Sequence, residues 1–238
     1  GADPTGIKDS REAIQKAITD VFNRGGGTVY IPAGKYRITG SITIRPFVTL
    51  HGDYVDPEKV KDGDYGTVIL ADVASLNSGL PALFTLAGSS GASGLTIFYP
   101  NQDINNVKPY PFTFFVPGWS MLQTIKNCTV INGYRGIGAT LFESSHEMFN
   151  VENFKGTFLH TGASAADQGD VGVWKNIKLN NSIWANAGKE YNAPSKSSLD
   201  SYTKKNAVGM IFADLEWTQF SNIEISDFNI GLNIVAGR

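Results

Sequence analysis

The sequence predicts an all-β solenoid, in which short strands stack coil upon coil. From residue 25 onward, short runs of β-branched and aromatic residues end repeatedly at glycine or proline. Strand patterns that begin at asparagine recur at Asn127, Asn150, Asn176 and Asn222, at intervals of 23, 26 and 46 residues. Spacings in the low twenties, with occasional insertions, indicate stacked structural repeats. The 26 glycines and the low charged fraction of 18% favour strands joined by tight corners.

The first predicted element is an amphipathic helix at residues 9–24. Asp9 followed by Glu12 matches a capping box, and the apolar residues between 13 and 22 lie on one helical face. The glycine run at 25–27 ends this helix. We expect the helix to cover the open end of the strand stack, where exposed strand edges would otherwise pair with other chains.

The coils begin with three strand patterns at residues 28–31, 36–44 and 47–50, each closed by glycine or proline. Polar loops at 52–66 and 99–117 interrupt the later coils. We interpret the longest asparagine interval as one coil with an inserted loop at 187–206, because that segment has loop composition throughout.

Charge, cysteine content and hydropathy exclude several classes of protein. Twenty basic against 22 acidic residues leave no electrostatic signal for nucleic acid. No apolar run is long enough to span a membrane. The lone Cys128 cannot form an internal disulfide, and its strand context predicts a buried, inert thiol. The three histidines are too scattered to predict a metal site, and no cofactor motif is present.

The opening of the chain resembles the pectate-lyase-like superfamily. The resemblance lies in GADPTG at residues 1–6, EAIQKAI at 12–18 and GGGTVYIPAGKY at 25–36. It implies a right-handed parallel β-helix with an N-terminal capping helix, formed as one domain over residues 1–238. Glycoside hydrolases, polygalacturonases, alginate epimerases and phage tailspikes share this opening, so it indicates fold more strongly than reaction.

Further segments are similar to bacterial proteins of the family 55 glycoside hydrolase type. They lie at residues 93–102, 107–112, 130–137 and 150–157. This similarity implies a secreted or cell-surface enzyme that cleaves a polysaccharide or oligosaccharide, in the manner of a β-1,3-glucanase. Proteins of this type carry many more coils, so we expect the chain to be the N-terminal portion of a larger β-helix, which a second chain or fragment would complete.

Two other functions remain open at this stage. One is a polysaccharide lyase, which needs a base such as lysine or arginine, and often calcium, beside an acidic sugar. The other is a non-catalytic solenoid, tailspike-like or carbohydrate-binding. A pair of clustered carboxyl groups favours the hydrolase, a basic side chain lined up in the groove favours the lyase, and a groove without acids favours the binding protein.

The densest supply of acidic side chains lies between residues 143 and 170. A glycosidase needs two carboxyl groups that flank the scissile bond. Asp167 and Asp170 precede a new strand pattern at 171–174, where a coil would leave one strand and enter the next. We therefore predict Asp170 as the catalytic acid or base, with Glu147 or Asp167 as its partner. The alternative is a solvated turn with ordinary surface acids.

Substrate contacts are predicted from a second acidic cluster and from aromatic residues. By strand alternation Asp214 and Glu216 share one face and Trp217 lies on the other. Trp184, beside the inserted loop, is predicted to form a groove wall, although it could equally fill the interior. The remaining predicted substrate contacts are His146, His160 and Tyr134.

Overall fold

The computed structural model describes residues 1–60, 63–73, 82–139 and 146–236. Within these ranges the chain forms strands that pair in parallel from one coil to the next. The strands are β1 (Thr5–Asp9), β2 (Gly27–Ile31), β3 (Gly34–Ile38), β4 (Ile42–Ile44), β5 (Val48–Gly52), β6 (Thr67–Ala71), β7 (Ala82–Leu86), β8 (Gly91–Ser93), β9 (Thr96–Phe98), β10 (Phe112–Val116), β11 (Ser120–Met121), β12 (Thr124–Ala139), β13 (His146–Glu147), β14 (Asn150–Gly169), β15 (Val173–Leu179), β16 (Val208–Leu215), β17 (Gln219–Ile225) and β18 (Ile230–Ile234).

The strands wind around three faces, which we name A, B and C. Face A contains β2, β5, β8 and the residues 124–126, 150–152, 173–175 and 219–221. Face B contains β1, β3, β6, β9 and the residues 128–130, 154–156, 177–179 and 223–225. Face C contains β4, β7, β10, β18 and the residues 135–139, 161–166 and 208–213. The predicted parallel β-helix is confirmed.

The corner between faces A and B is an asparagine ladder. Asn127, Asn153, Asn176 and Asn222 each have a left-handed backbone, with φ between 51° and 56°. Asparagine tolerates this conformation better than most residues. The Asn153 side chain donates to Asn127 Oδ1 at 2.9 Å, and that of Asn222 donates to Asn176 Oδ1 at 2.8 Å. These side-chain bonds run along the stack and tie one corner to the next.

The structure shows that one residue of the predicted asparagine repeat was assigned wrongly. Asn150 is not a corner residue, because it begins a face A strand and pairs with Thr124. Asn153, three positions later, is the true equivalent of Asn127. The longest interval is nevertheless one coil, since Lys175 and Ser221 are direct strand neighbours.

The predicted N-terminal helix is present as α1 (Arg11–Phe22). It packs against β2, β4 and β5 and buries Ile14 and Ile18 in the core. The predicted capping box is wrong, because Asp9 belongs to β1. Its carboxylate accepts hydrogen bonds from the Arg11 peptide N–H and from Thr39, on the neighbouring coil.

The insertion at 187–206, predicted as a loop, contains helical structure. After α2 (Ser182–Ala185), a 3-10 turn spans Lys189–Tyr191 and α3 spans Lys196–Asn206. The Ser195 side chain caps α3 by accepting from the Ser198 N–H at 3.2 Å. The polar composition hid this helix, because only Leu199 and Thr203 are buried. None of the helices in the described ranges is long and apolar enough to cross a membrane.

Two apolar cores hold these parts together. Inside the β-helix, Phe84 stacks on Phe114 with ring centroids 5.5 Å apart, and Cys128 is fully buried. Burial raises the pKa of the Cys128 thiol to about 12, so it stays protonated and inert, as predicted. A second core lies under the insertion, where Trp184, Tyr191 and Leu199 pack with residues of face B and its neighbouring turns.

A cluster of ion pairs fastens residues 53–60 of the polar loop to face B. Lys155 Nζ lies 2.8 Å from both Asp56 Oδ1 and Glu58 Oε2, and Lys178 Nζ lies 2.7 Å from Glu58 Oε1. Hydrogen bonds from Lys155 and then Lys178 lower the pKa of Glu58 to about 2. Because Lys155 is nearly buried, its charge depends on these two carboxylates.

We predict that Asn153→Ala destabilises the fold by about 2 kcal/mol, since alanine loses the bond to Asn127 and is strained in the left-handed region. Asn153→Gly is the matched control, because it removes the same bond without backbone strain. Urea unfolding should therefore rank wild type above the glycine variant and the glycine variant above the alanine variant. Equal stability of all three would contradict the ladder's role.

We predict that Glu58 stabilises the fold most at pH values above its ordinary pKa of 4.5. Since its pKa is lowered to about 2 in the folded state, this contribution is lost as the pH falls from 4.5 towards 2. The difference in Tm between wild type and Glu58→Gln should shrink over that interval. Glu12→Gln, on the exposed face of α1, is the control and should show a smaller change with pH. A difference that grows on acidification would contradict the assignment.

Candidate functional site

Five acidic side chains meet at the corner that joins face C to face A. This group, which we name the acidic corner, consists of Glu147, Asp167, Asp170, Asp214 and Glu216. The sequence predicted them as two separate clusters. The stacking of coils brings them to one edge of the β-helix, on three successive coils.

Strand register determines which side chains of this corner face outward. His146 pairs with Gln168, and both side chains are buried inside the β-helix. Their successors, Glu147 and Gly169, also pair and are half-exposed, so they point the opposite way. Glu216 continues this row, because its peptide N–H donates to the carbonyl of Gln168 at 2.8 Å.

Glu147 and Glu216 therefore lie on either side of Gly169. Their Cα atoms are two strand spacings apart, about 9.5 Å. Because Gly169 has no side chain, no side chain of this row stands between the two carboxyl groups, and we name this gap the slot. The same register excludes His146 from this surface: its imidazole is fully buried, with Nε2 3.2 Å from the carbonyl of Val116.

Asp167 and Asp214 occupy equivalent positions on neighbouring coils. The residues before and after them pair directly, which places their Cα atoms about 4.8 Å apart. Both have a left-handed backbone, with φ of 52° and 46°. Oδ2 of Asp167 is buried and has no hydrogen-bond partner among the described residues. An unsatisfied buried acceptor is costly, and a ligand hydroxyl that donates to it would remove that cost.

Asp170 and Trp217 complete the corner. Asp170 is exposed and left-handed, and its carbonyl accepts from the Gly172 N–H at 2.8 Å. The prediction that Asp214 and Glu216 share one strand face and Trp217 lies on the other is wrong. The left-handed backbones of Asp214 and Trp217 interrupt the strand, and all three side chains are exposed at the same corner.

Trp184 lies away from the acidic corner, in the core beneath the inserted helices. Only 1% of its surface is exposed, and its indole N–H donates to the carbonyl of Tyr191 at 2.9 Å. It contributes to the lining of a depression of about 430 Å³ between residues 100–105 and 192–194. Its principal role in this structure is packing.

Tyr134 and His160 form a second cluster at the opposite end of the face C strands. Their ring centroids are 4.9 Å apart. The guanidinium of Arg135 lies 5.9 Å from the Tyr134 ring and 5.4 Å from the ring of Phe112, which pairs with it from the preceding coil. We name these four residues the arginine cluster. Seven residues of extended chain separate His160 from Asp167, so about 20 Å divides the two clusters.

The arginine cluster is electrostatically unbalanced. Arg135 makes no ion pair with the acidic residues that the structure describes, and its buried Nε lacks a hydrogen-bond partner there. Burial, and secondly the charge of Arg135, lower the pKa of His160 below its ordinary value of 6.5. A neutral imidazole beside a guanidinium that has no acidic partner among the described residues can accept a proton while the guanidinium binds an anion.

Sequence reasoning missed Arg135 and Phe112 as members of this cluster. Both lie in segments already quoted for their family resemblance, but their proximity depends on the pairing of β10 with β12. In the part of the chain that the structure describes, no group of three or more histidine, cysteine or acidic side chains is arranged to hold a metal ion.

Comparison with known proteins supports the fold. The family model described as rhamnogalacturonase A/epimerase, pectate lyase-like, matches residues 1–80. A solved structure, ORF18 of Geobacillus virus E2, superposes with a TM-score of 0.52 at 14% identity, covering 92% of this chain and 48% of that one. The resemblance to the pectate-lyase-like superfamily is confirmed. The narrower likeness to family 55 stays a prediction.

Two curated relatives come from Azotobacter vinelandii. Mannuronan C5-epimerase AlgE1 is 40% identical over 68 residues, which are 26% of this chain and 5% of the epimerase. Alginate lyase 7 is 50% identical over 40 residues, which are 17% of this chain and 5% of the lyase. The matched stretches thus span about one-twentieth of the length of these relatives.

Proposed function

We propose that this protein is a carbohydrate-active enzyme that hydrolyses a glycosidic bond at its acidic corner. The observation that carries the proposal is the pair Glu147 and Glu216 on either side of Gly169. Inverting glycosidases hold their two carboxyl groups about 6.5–9.5 Å apart, which leaves room for a water molecule. A Cα separation of about 9.5 Å lets two flexible glutamate side chains reach that range.

In this mechanism one glutamic acid protonates the departing glycosidic oxygen, and the other carboxylate takes a proton from the attacking water. Asp167 and Asp214 accept hydrogen bonds from sugar hydroxyls, and such a bond would satisfy the buried Oδ2 of Asp167. Asp170 follows Gly169 directly and supplies a third carboxylate beside the slot. It remains the alternative acid or base, paired with Glu147 or Asp167.

The relatives support a carbohydrate substrate and leave the reaction open. Their names describe an epimerase acting on mannuronan and a lyase acting on alginate, both polysaccharides. A polymer of this kind is met outside the cell, so we place the protein among secreted or cell-surface enzymes. A β-1,3-glucan is the substrate that the family 55 similarity favours.

A polysaccharide lyase is the second candidate, and the arginine cluster favours it. Arg135 could bind the carboxylate of a uronate sugar, because its buried Nε has no hydrogen-bond partner among the described residues. Neutral His160 or Tyr134 could then take the proton from the carbon beside that carboxylate, with elimination of the leaving sugar. The product would carry a carbon–carbon double bond.

The proposal is tested by mass spectrometry of products formed from a panel of neutral and acidic polysaccharides. We predict fragments heavier by one water for each bond cleaved. Glu147→Gln and Glu216→Gln should each lower the rate by at least about 100-fold, the usual loss for a general acid or base. Glu152→Gln is the control, since that residue lies on face A and pairs with Lys126 and Lys175.

Three other outcomes decide between the alternatives. Unsaturated fragments without added water, lost on Arg135→Gln, would overturn hydrolysis in favour of the lyase. Hydrolysis that survives both glutamine substitutions but fails in Asp170→Asn would move the reaction to Asp170. Binding of a polymer without any product would support the non-catalytic solenoid.

A further inference from the structure

Two tryptophan side chains are largely exposed to solvent at the corner between faces C and A. Trp119 is 81% exposed and Trp217 is 77% exposed. Both have a left-handed backbone, with φ of 57° and 53°. Exposed indoles and left-handed tryptophans are each uncommon, and here they coincide twice.

The corner requires a left-handed backbone, which Leu122, Met148 and Asp170 also adopt on neighbouring coils, but it does not require an exposed tryptophan. A left-handed conformation costs a residue with a Cβ atom about 1–2 kcal/mol, whereas glycine adopts it freely. Burial of the side chain could offset this cost, but most of each indole is in contact with solvent. At the opposite corner, between faces A and B, asparagine meets the same backbone requirement and adds a stabilising bond. Among the described residues, Trp119 and Trp217 therefore make little contact that would offset this cost.

Their positions bracket the acidic corner. Ser120, His146, Gln168 and Leu215 pair in turn on four successive coils. Trp119, Asp167 and Asp214 each come one residue before a member of that series. Trp119 therefore lies in the same row as the two aspartates. That row spans three strand spacings, about 14 Å along the stack. Trp217 directly follows Glu216 at its far end. Glu147, Asp167 and Asp170 thus lie on the two coils between the indoles, and the other two acidic residues lie on the coil of Trp217.

The surroundings indicate which kind of ligand these indoles would take. A protein partner that covered both tryptophans would also bury several carboxylates, which is costly without matching cations. A sugar ring presents C–H groups on one side, which pack against an indole, and hydroxyls at its edge, which donate to carboxylates. This alternation of apolar and hydrogen-bonding surface matches the corner.

We propose that Trp119 and Trp217 are stacking platforms for sugar rings at the two ends of the acidic corner, and that the ligand is a polysaccharide chain lying along the β-helix axis. That the ligand is a polysaccharide rests on the proposed function, but the binding role of the two tryptophans does not depend on which bond is cleaved. A chain long enough to reach both indoles gains two stacking contacts, and a disaccharide gains one.

The test measures binding and stability in the same variants. Trp119→Gly and Trp217→Gly remove an indole and relieve the backbone strain, so each should raise Tm by a few degrees. Each should also weaken binding of β-1,3-glucan or alginate hexasaccharides by at least about tenfold, with a smaller effect on disaccharides. Isothermal titration with the full chain carrying Glu147→Gln keeps the ligand intact. Phe47→Gly is the matched control.

Phe47 is suitable because it is also left-handed and 63% exposed, but it lies near the first coil. Its glycine variant should raise Tm without changing affinity. Unchanged affinity in both tryptophan variants, or no binding of any polymer by the wild-type chain, would overturn the proposal. If a glycine variant fails to fold, Trp119→Ala and Trp217→Ala supply the same binding comparison. Loss of binding in a chain that never cleaves polymer would support the platforms and refute the hydrolase.

Discussion

The parallel hydrogen-bond ladder between coils is the constraint on which the rest of this structure depends. Because each strand pairs with its equivalent on the next coil, every coil must turn its corners at the same place. A sharp corner needs a left-handed residue, and the chain supplies asparagine at 127, 153, 176 and 222. Insertions are then confined to the turns, where loop residues 53–60 and the helices α2 and α3 lie against the outside of face B.

The same constraint builds the candidate site. Glu147 and Glu216 are 69 residues apart in sequence, yet they share one row because the residues before them, His146 and Leu215, both align with Gln168. In the proposed reaction, the gap at Gly169 would hold the glycosidic bond and the attacking water molecule. Left-handed residues at this corner turn acidic and aromatic side chains to the surface instead of the core. Stability is lost there, as is common where a surface is shaped for a ligand.

Much of this fold could be predicted from strand patterns and glycine positions, and the exceptions have physical causes. The segment NVEN contains two asparagines three residues apart, and only the register shows that Asn153 forms the corner. The acidic residues were recognised individually, but their union at one edge depends on pairing between coils. His146 and Glu147 are adjacent in sequence, and only the register places one inside and the other outside. The arginine cluster requires the pairing of Phe112 with Arg135, which neither segment reveals alone.

The measurement that tests this account most directly is the anomeric configuration of freshly released sugars, followed by proton NMR before mutarotation. Glu147 and Glu216 lie two strand spacings apart, which leaves room for a water molecule between them in the proposed reaction. We therefore predict inversion of configuration at the cleaved carbon. Retention would contradict it, because a retaining enzyme needs carboxyl groups only about 5–5.5 Å apart, a spacing closer to that of Asp167 and Asp214 on neighbouring coils.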